Sequence, residues 1–264
     1  RTLTATITDP DGVPTSGTGL PVLYWNYNNN PYNAVQGISI GGGQYQFTFG
    51  AGVFQGGTVY YYIVAQDNTG LASNVSVSPA EPASTNFGFS VNPPRVAVSP
   101  VPKSYKVRSP FSGTFYIGSG QYYTTITQAL ADYNNVNDYC LSGPVTFILT
   151  DANYSSSETF PLVISNPQAS SVNTLTIKPN TGVNTTIAGR SEAIFKIVGS
   201  DYVIFDGSNA NTTSRNLTIR NDSIAPFSVL SSQATTYPAV FWFTNSYGSS
   251  IKGSNNNTIK NCTI

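Results

Sequence analysis

Two carboxylates, Asp201 and Asp206, come nearest in type and spacing to a catalytic pair. Hydrolysis of a glycosidic bond requires two carboxyl groups that flank the bond. Asp201 and Asp206 flank one short predicted strand, and Arg215 or Arg220 is the plausible nearby cation. The acids after residue 130 form no close pair or Asp-Asp doublet, however, and Asp206 before Gly207 is typical of a sharp corner. We therefore expect no catalytic site. If the chain is an enzyme, Asp201, Asp206 and Arg220 are the alternative catalytic residues.

Three other carboxylates, Asp9, Asp11 and Asp67, could bind calcium, because hard cations prefer oxygen ligands. They lie in two stretches, residues 9–12 and 67–70, whose Asp, Asn, Pro and Gly content is explained by turn formation alone. In a β-sandwich with ordinary strand order, these turns would lie at opposite ends. We therefore expect no metal ion and no cofactor, and these three residues are the alternative calcium ligands.

The composition excludes several classes of function. Histidine is absent, which rules out an imidazole base, a histidine metal ligand and a histidine pH switch. Only 9% of the residues are charged, and 12 Lys and Arg balance 12 Asp and Glu. A neutral chain with so few cations lacks the electrostatic basis of phosphate binding, and its apolar runs are too short to span a bilayer. We expect no nucleic-acid partner and no direct membrane insertion.

Residues 1–96 have the pattern of an antiparallel β-sandwich. Short runs alternate apolar and polar side chains, clusters of Gly, Asn, Asp and Pro separate them, and none has a helical period. Residues 97–110 follow as a proline-rich segment. Because proline fixes an extended backbone and removes a hydrogen-bond donor, we predict a semi-rigid linker here, with neither strand nor helix. The predicted inward residues of the first domain are Leu3, Ala5, Ile7, Leu23, Trp25, Tyr27, Tyr45, Phe47, Phe49, Val59, Tyr61, Ile63 and Ala65.

Residues 111–264 begin with a helix and continue as short strands. Thr125 to Gln128 fits a capping box, and Ile126, Ala129, Leu130 and Tyr133 recur at helical spacing. The later runs of three to five residues end in Gly or Asn, which favours a solenoid of three strands per coil. The helix would then cover the first coil. The predicted inward residues are Ile177, Ile187, Ile197, Phe205, Ile219, Phe243, Ile251 and Ile259.

The strand pattern continues as far as Ile264, so we expect a parallel β-helix that is truncated there and is followed by more chain or covered by another copy. Cys140 and Cys262 are the two cysteines. Cys262 falls on the inward side of its predicted strand. We expect two separate buried thiols, with one long-range disulfide as the alternative.

Each half of the chain resembles a known family. The run from Tyr61 to Asp67, with Trp25, is similar to immunoglobulin-like and fibronectin type III-like modules. The helix at residues 123–130, the strand after Gly143 and the strand at residues 201–207 resemble the right-handed parallel β-helix of the pectin lyase-like superfamily. Together they resemble multidomain surface proteins that gliding bacteria export by the type IX route. The expected fold is thus all-β: an immunoglobulin-like sandwich and a right-handed parallel β-helix with an N-terminal capping helix.

This resemblance implies an extracellular location at a bacterial cell surface and a large parent protein. We expect a structural and adhesive module of a surface protein or extracellular filament, whose partners are copies of itself, neighbouring domains of one long chain, or surface glycans. Two alternatives stay open: a polysaccharide lyase or hydrolase, and a carbohydrate-binding module that uses exposed tyrosines. Core packing explains the aromatic residues equally simply, but those that could stack on sugar rings are Tyr60, Tyr61, Tyr62, Tyr122, Tyr123, Trp25 and Trp242. The resemblance also makes Ser223, in Asp222-Ser223-Ile224, a candidate for O-glycosylation.

Overall fold

The computed structural model describes residues 1–17, 19–68, 75–78, 102–224, 227–228, 235–236, 238–246 and 251–264. The chain forms two compact units, Arg1–Arg108 and Ser109–Ile264. Within the described part of the chain, no helix has the length and apolar character needed to cross a membrane.

The first unit consists of antiparallel strands in two sheets. One sheet has the order β1-β5-β4, and the other has the order β3-β2-β6-β7, with β8 also paired to β6. The strands are β1 (Thr2–Thr6), β2 (Val22–Tyr27), β3 (Asn33–Gln36), β4 (Ile38–Gly41), β5 (Gln44–Thr48), β6 (Thr58–Gln66), β7 (Val75–Ser78) and β8 (Lys103–Lys106).

The core of this unit is formed by the residues that alternate inward along the strands. Leu23 of β2, Tyr45 and Phe47 of β5, and Val59 and Ile63 of β6 belong to one buried cluster, so both sheets contribute to a shared interior. Alternation alone places these side chains on one face, because successive residues of a strand point in opposite directions. The inward residues predicted from the sequence are therefore confirmed for these strands.

The proline-rich segment is not a free linker throughout its length. Residues Lys103–Lys106 form strand β8, which pairs antiparallel with β6, for example Tyr105 with Val59. Ser109 and Pro110 begin the next strand. The prediction of a linker over 97–110 with neither strand nor helix is wrong for these residues. Pro110 lies on β9, the end strand of its sheet, where proline is tolerated. Residues 97–101 lie outside the described part.

The second unit contains the one helix of the described residues and a series of short strands. The elements are β9 (Ser109–Ile117), α1 (Ile126–Asn134), β10 (Tyr139–Leu149), β11 (Asn153–Tyr154), β12 (Leu162–Ile164), β13 (Leu175–Pro179), β14 (Thr185–Gly189), β15 (Ala193–Val198), β16 (Val203–Asp206), β17 (Leu217–Asn221), β18 (Phe227–Ser228), β19 (Thr235–Thr236), β20 (Ala239–Thr244), β21 (Thr258–Lys260) and β22 (Cys262–Thr263).

These strands stack as a β-solenoid of about four turns, the parallel β-helix arrangement. Sheet β21-β16-β13-β10-β9, sheet β11-β14-β17-β22 and sheet β12-β15-β20 are its three walls, and every pairing between turns is parallel. Each full turn uses one strand from each wall, which confirms three strands per coil. Antiparallel β18 and β19 lie in the excursion between β17 and β20.

The interior of the solenoid is apolar where turns stack on both sides. Ile177, Ile187, Ile197, Phe205 and Ile219 are each fully buried, as predicted. Phe243 on β20 and Ile259 on β21, the end strands of their walls, are not buried as predicted but are 42% and 37% exposed. The prediction is wrong for Ile251, which is 72% exposed and lies outside the strands. The spacing of Ile251 from the other apolar residues predicts an inward position, but residue 251 is not part of a strand that pairs with a neighbouring turn.

Helix α1 packs one apolar stripe on the solenoid. Its buried residues are Ile126, Ala129, Leu130 and Tyr133, the four that the helical spacing predicts. Thr125 caps the helix by accepting a hydrogen bond from Gln128 N at 3.1 Å. Gln128 Oε1 accepts hydrogen bonds from Thr124 N and Thr124 Oγ1. In a standard capping box the donor would be the backbone N–H of the cap residue itself, which here is Thr125.

Candidate functional sites

The alternative catalytic residues are bound to different partners. Asp201 Oδ2 pairs with Lys252 Nζ at 3.2 Å, and Asp201 Oδ1 accepts from Asn255 N at 2.7 Å. Arg220 forms its ion pair with Asp222 on the surface, two residues away along the chain. The structure thus engages Asp201 and Arg220 in separate local contacts, and it shows no polar contact between either of them and Asp206 within the described residues.

Asp206 is held at a corner between two turns. Its Oδ1 accepts from Ser208 N, Ser208 Oγ and Asn261 Nδ2, and its Oδ2 pairs with Lys260 Nζ at 3.1 Å. Burial opposes ionisation of this carboxyl, but the hydrogen bonds from Ser208, Asn261 and Lys260 outweigh burial and lower its pKa to about 2. Asp206 is therefore ionised at neutral pH and occupied by structural donors, which leaves it unsuited to donate a proton as a general acid.

The structure brings the three possible calcium ligands together. One carboxylate oxygen each of Asp9, Asp11 and Asp67 lies within 4.8 Å of the others. The expectation that their turns lie at opposite ends of the unit is wrong, because β1 and β6 end on the same side. Asn68 N donates to Gly12 O at 3.0 Å and so joins the two segments directly.

Local contacts explain much of this acidic cluster without a cation. Asp9 Oδ1 accepts from Asp11 N at 2.9 Å, which is an ordinary Asx-turn, and Asn68 Nδ2 donates to Asp11 O at 3.3 Å. Asp67 is 4% exposed, whereas Asp9 and Asp11 are exposed. The three oxygens are of the type that Ca²⁺ takes, but complete coordination requires six to eight of them.

A line of hydrogen bonds, here called the corner ladder, connects α1 with three successive turns. Asn166 Nδ2 donates to Tyr133 O, Ser200 Oγ donates to Asn166 O at 3.1 Å, and Asn257 Nδ2 donates to Ser200 O at 3.2 Å. Asn166 and Ser200 are buried at 2% and 0% exposure. Because buried polar groups are costly without partners, each member of the corner ladder depends on the turn stacked beside it.

An open depression lies beside the solvent-facing side of α1. Tyr122, Tyr123, Gln128, Ala131 and Asp132 line a volume of about 450 Å³. Tyr123 donates its hydroxyl to Asp132 Oδ2 at 2.8 Å. Burial and the neighbouring carboxylate of Asp132 raise the pKa of Tyr123, so this hydroxyl stays protonated and continues to donate. The depression therefore combines an aromatic wall with a fixed carboxylate.

Ser223, the candidate glycosylation site, lies directly after β17. Its side chain is half-buried, and its backbone N–H donates to Asn221 Oδ1 at 3.1 Å. The following Ile224 is 100% exposed. Ser223 thus lies between the end of β17 and a fully exposed residue.

The two cysteines are free and belong to different walls of the solenoid. Cys140 lies in β10 beside Pro110, and Cys262 lies in β22 beside Leu217. Both are half-buried. Burial raises the pKa of the Cys262 thiol to about 11, and the charge of Asp206 adds to this effect. The two thiols are therefore separate, as expected, but neither is fully buried as the sequence predicts.

Sequence reasoning missed two residues that the structure makes important, Glu158 and Asp132. Glu158 accepts a hydrogen bond from the backbone N–H of Ile126 in the first turn of α1. Asp132 accepts a hydrogen bond from the hydroxyl of Tyr123. Each is a single acid with no acidic residue close to it in the sequence. Asp132 has a usable signal, since its position on the helix faces the adjacent tyrosines, whereas no local pattern marks Glu158.

Comparison of the chain with protein-family models, curated proteins and solved structures finds no match.

Proposed function

We propose that this chain is a structural and adhesive module of a large secreted surface protein or extracellular filament. The observation that carries the proposal is the corner ladder, which ties α1, the buried Asn166 and Ser200, and the partly buried Asn257 into one series. Such a series favours a stiff, elongated element, because a turn cannot shift without breaking bonds to both neighbours. Asp206 contributes in the same way at another corner.

The outer surface supports an adhesive role. Four threonines and one isoleucine form an outward column on the five-stranded wall of the solenoid. In order along the column they are Thr114, Thr146, Thr176, Ile204 and Thr258. Hydroxyl and methyl groups in register offer hydrogen bonds and apolar contact without charge. A surface with only 9% charged residues in the whole chain is suited to close packing against copies of itself or against glycans.

Three finer features of the fold belong to the same proposal. The first unit would be immunoglobulin-like or fibronectin type III-like, the solenoid would be right-handed, and α1 would cover its first turn. A right-handed path agrees with the hand that parallel crossover connections almost always adopt, and α1 buries its apolar stripe against the unit. Export by the type IX route and a bacterial cell-surface location complete the proposal.

The proposed assembly is tested by electron microscopy of native material taken from the surface of the source cells. Filaments, bundles or long projections that bind an antibody to this chain are the expected result. Dispersed particles of one chain each would overturn the filament role. Antibody labelling of intact cells, compared with lysed cells, tests the location separately: signal only after lysis would overturn the extracellular assignment.

A structural role also predicts no turnover of polysaccharides. Neutral and acidic polysaccharides are incubated with the wild-type chain and with Asp206→Asn, and new reducing ends and unsaturated products are measured. Turnover by the wild type that Asp206→Asn abolishes, while the circular dichroism spectrum is retained, would overturn the structural role in favour of the enzyme alternative.

Ser223 is proposed as the attachment point of an O-linked glycan. Its place at the start of the excursion, next to the fully exposed Ile224, supports access for a modifying enzyme. Peptide mass spectrometry of native material should show added sugar mass on the peptide that contains Ser223. The mass should disappear in Ser223→Ala expressed in the source organism. An unmodified native peptide would overturn this assignment.

A further inference from the structure

The most exposed aromatic side chain among the described residues of the solenoid unit is Tyr122, at 86% exposure. Its ring lies 4.8 Å from that of Tyr123, at an interplanar angle of 80°. Tyr123 is 6% exposed and is held by Asp132 and by an edge contact with Phe115 at 5.9 Å. Tyr122 is thus supported on one side by an immobile ring, while most of its own surface faces solvent.

Asp132 and Gln128 lie beside this ring, and each has a side-chain atom that can form a further hydrogen bond. Asp132 uses Oδ2 to accept from Tyr123, and its Oδ1 has no hydrogen bond among the described residues. The Gln128 oxygen accepts from Thr124 N and Thr124 Oγ1, which fixes the amide group and leaves Nε2 as a donor. An aromatic surface, an acceptor and a donor therefore line one depression of about 450 Å³.

This combination matches the chemistry of a sugar ring. A pyranose has an apolar C–H face that packs on a flat aromatic ring, and adjacent hydroxyls that donate to a carboxylate and accept from an amide. A hydrogen bond to a charged acceptor such as Asp132 is stronger than one between neutral groups. The depression is also open, so a ring within a longer chain could enter it from the side.

The same residues disfavour two other ligands. The negative charge of Asp132 opposes uronic acids and other anionic sugars. A quaternary ammonium group is recognised by several ring faces that surround it, but Tyr123 is buried and Tyr122 alone exposes most of its ring. We propose that Tyr122, Asp132 and Gln128 form a binding site for one residue of a neutral glycan. This site rests on the adhesive part of the proposed function and does not depend on filament formation.

The test uses the full chain and defined probes. Oligomers of glucan, mannan, galactan and chitin are screened on an array, and those retained are titrated by NMR against the wild type. Tyr122→Ala should weaken binding about tenfold or more, the loss expected for a stacking contact. Asp132→Asn should weaken it several-fold. Tyr116→Ala is the matched control, because Tyr116 is a half-exposed tyrosine on β9 that does not line the depression.

The outcomes separate clearly. Binding that falls in Tyr122→Ala and Asp132→Asn but persists in Tyr116→Ala supports the site. Absence of binding to all four neutral glycans overturns it, as does binding that Tyr122→Ala leaves unchanged. Binding of choline or a polyuronate in preference to the neutral probes also overturns it. None of these results bears on filament formation, so the two proposals fail independently.

Discussion

The carboxylate of Glu158 accepts a hydrogen bond from the backbone N–H of Ile126 at 2.8 Å. Its other oxygen accepts from Thr127 N at 2.8 Å and from Thr127 Oγ1 at 2.6 Å. Thr159 N in turn donates to Thr127 Oγ1. A carboxylate from the connection between β11 and β12 therefore satisfies the open N–H groups at the start of α1, where the helix dipole also favours negative charge.

Replacement of Glu158 by glutamine should destabilise the second unit markedly. The amide keeps one acceptor but loses the charge and turns an NH₂ group toward donors, and the site is only 9% exposed. We expect the free energy of unfolding to fall by about 2 kcal/mol. Urea unfolding followed by Trp242 fluorescence in a Trp25→Phe background measures the second unit alone, because the chain has two tryptophans.

Glu192→Gln is the control for this experiment. Glu192 pairs with Lys196 at 2.8 Å on the same face of the solenoid wall, with both side chains about one-fifth exposed. A partly exposed pair of this kind contributes less than about 1 kcal/mol. Equal losses in the two variants would show that Glu158 acts merely as another surface charge and would contradict its role at the helix.

Gly207 marks the closest approach between two turns. A Cβ atom there would lie 1.9 Å from Asn261 O and 2.6 Å from Asn261 C, both backbone atoms of the following turn. Gly207→Ala should therefore lower the free energy of unfolding by about 1–3 kcal/mol, the usual cost of overpacking. Gly143→Ala is the matched control, since the nearest atom to its Cβ would be 3.5 Å away. A neutral Gly207→Ala would show that the turns separate easily.

Asp206 should make the stability of the second unit depend on acid. Its pKa is about 2 in the folded chain and 3.8 when unperturbed. Since the folded value is lower, the ionised group stabilises the fold above about pH 4, and this stabilisation is lost as the pH falls toward 2. We expect a contribution of about 1 kcal/mol after allowance for solvent screening.

Urea unfolding of wild type and Asp206→Asn at pH 7, 4 and 2 measures this contribution. The free energy of unfolding of the wild type should exceed that of the variant at pH 7 and pH 4, and this difference should disappear between pH 4 and pH 2. Asp222→Asn, which breaks the exposed pair with Arg220, should leave the acid dependence nearly unchanged. If the free energies of unfolding of the wild type and Asp206→Asn differed by the same amount at all three pH values, the lowered pKa of Asp206 would be contradicted.

The sequence predicts those features that depend on local spacing and misses those that depend on distant contacts. The four buried residues of α1, such as Leu130, follow from helical periodicity. The prolines around β8 mask its strand pattern in the sequence. The strand pairs with Thr58–Tyr61 of β6, the part of β6 that β7 does not reach. Glu158 and Ile126 are 32 positions apart, so only the stacking of turns brings them together. The sequence names Asp9, Asp11 and Asp67 as possible calcium ligands but places their turns at opposite ends, because their proximity also depends on contacts between distant residues.

The two thiols should remain separate and react at different rates. Three steps between paired strands separate β10, which contains Cys140, from β21, which precedes Cys262. At about 4.8 Å a step this amounts to about 14 Å, and a disulfide requires Cα atoms closer than about 7 Å. Burial also raises the pKa of Cys262 to about 11, so little reactive thiolate forms at pH 8.

Reaction with a chromogenic disulfide reagent tests this expectation. Denatured chain should release two equivalents, whereas the native chain should show a slow phase that Cys262→Ser removes and Cys140→Ser retains. The slow phase should become fast in Gly207→Ala if that substitution opens the last turn, because Cys262 Sγ lies against Phe205 O at 3.9 Å beside this corner. A peptide linking Cys140 to Cys262 in non-reduced digests, or immediate labelling of native Cys262, would show that the turns are not stacked as described.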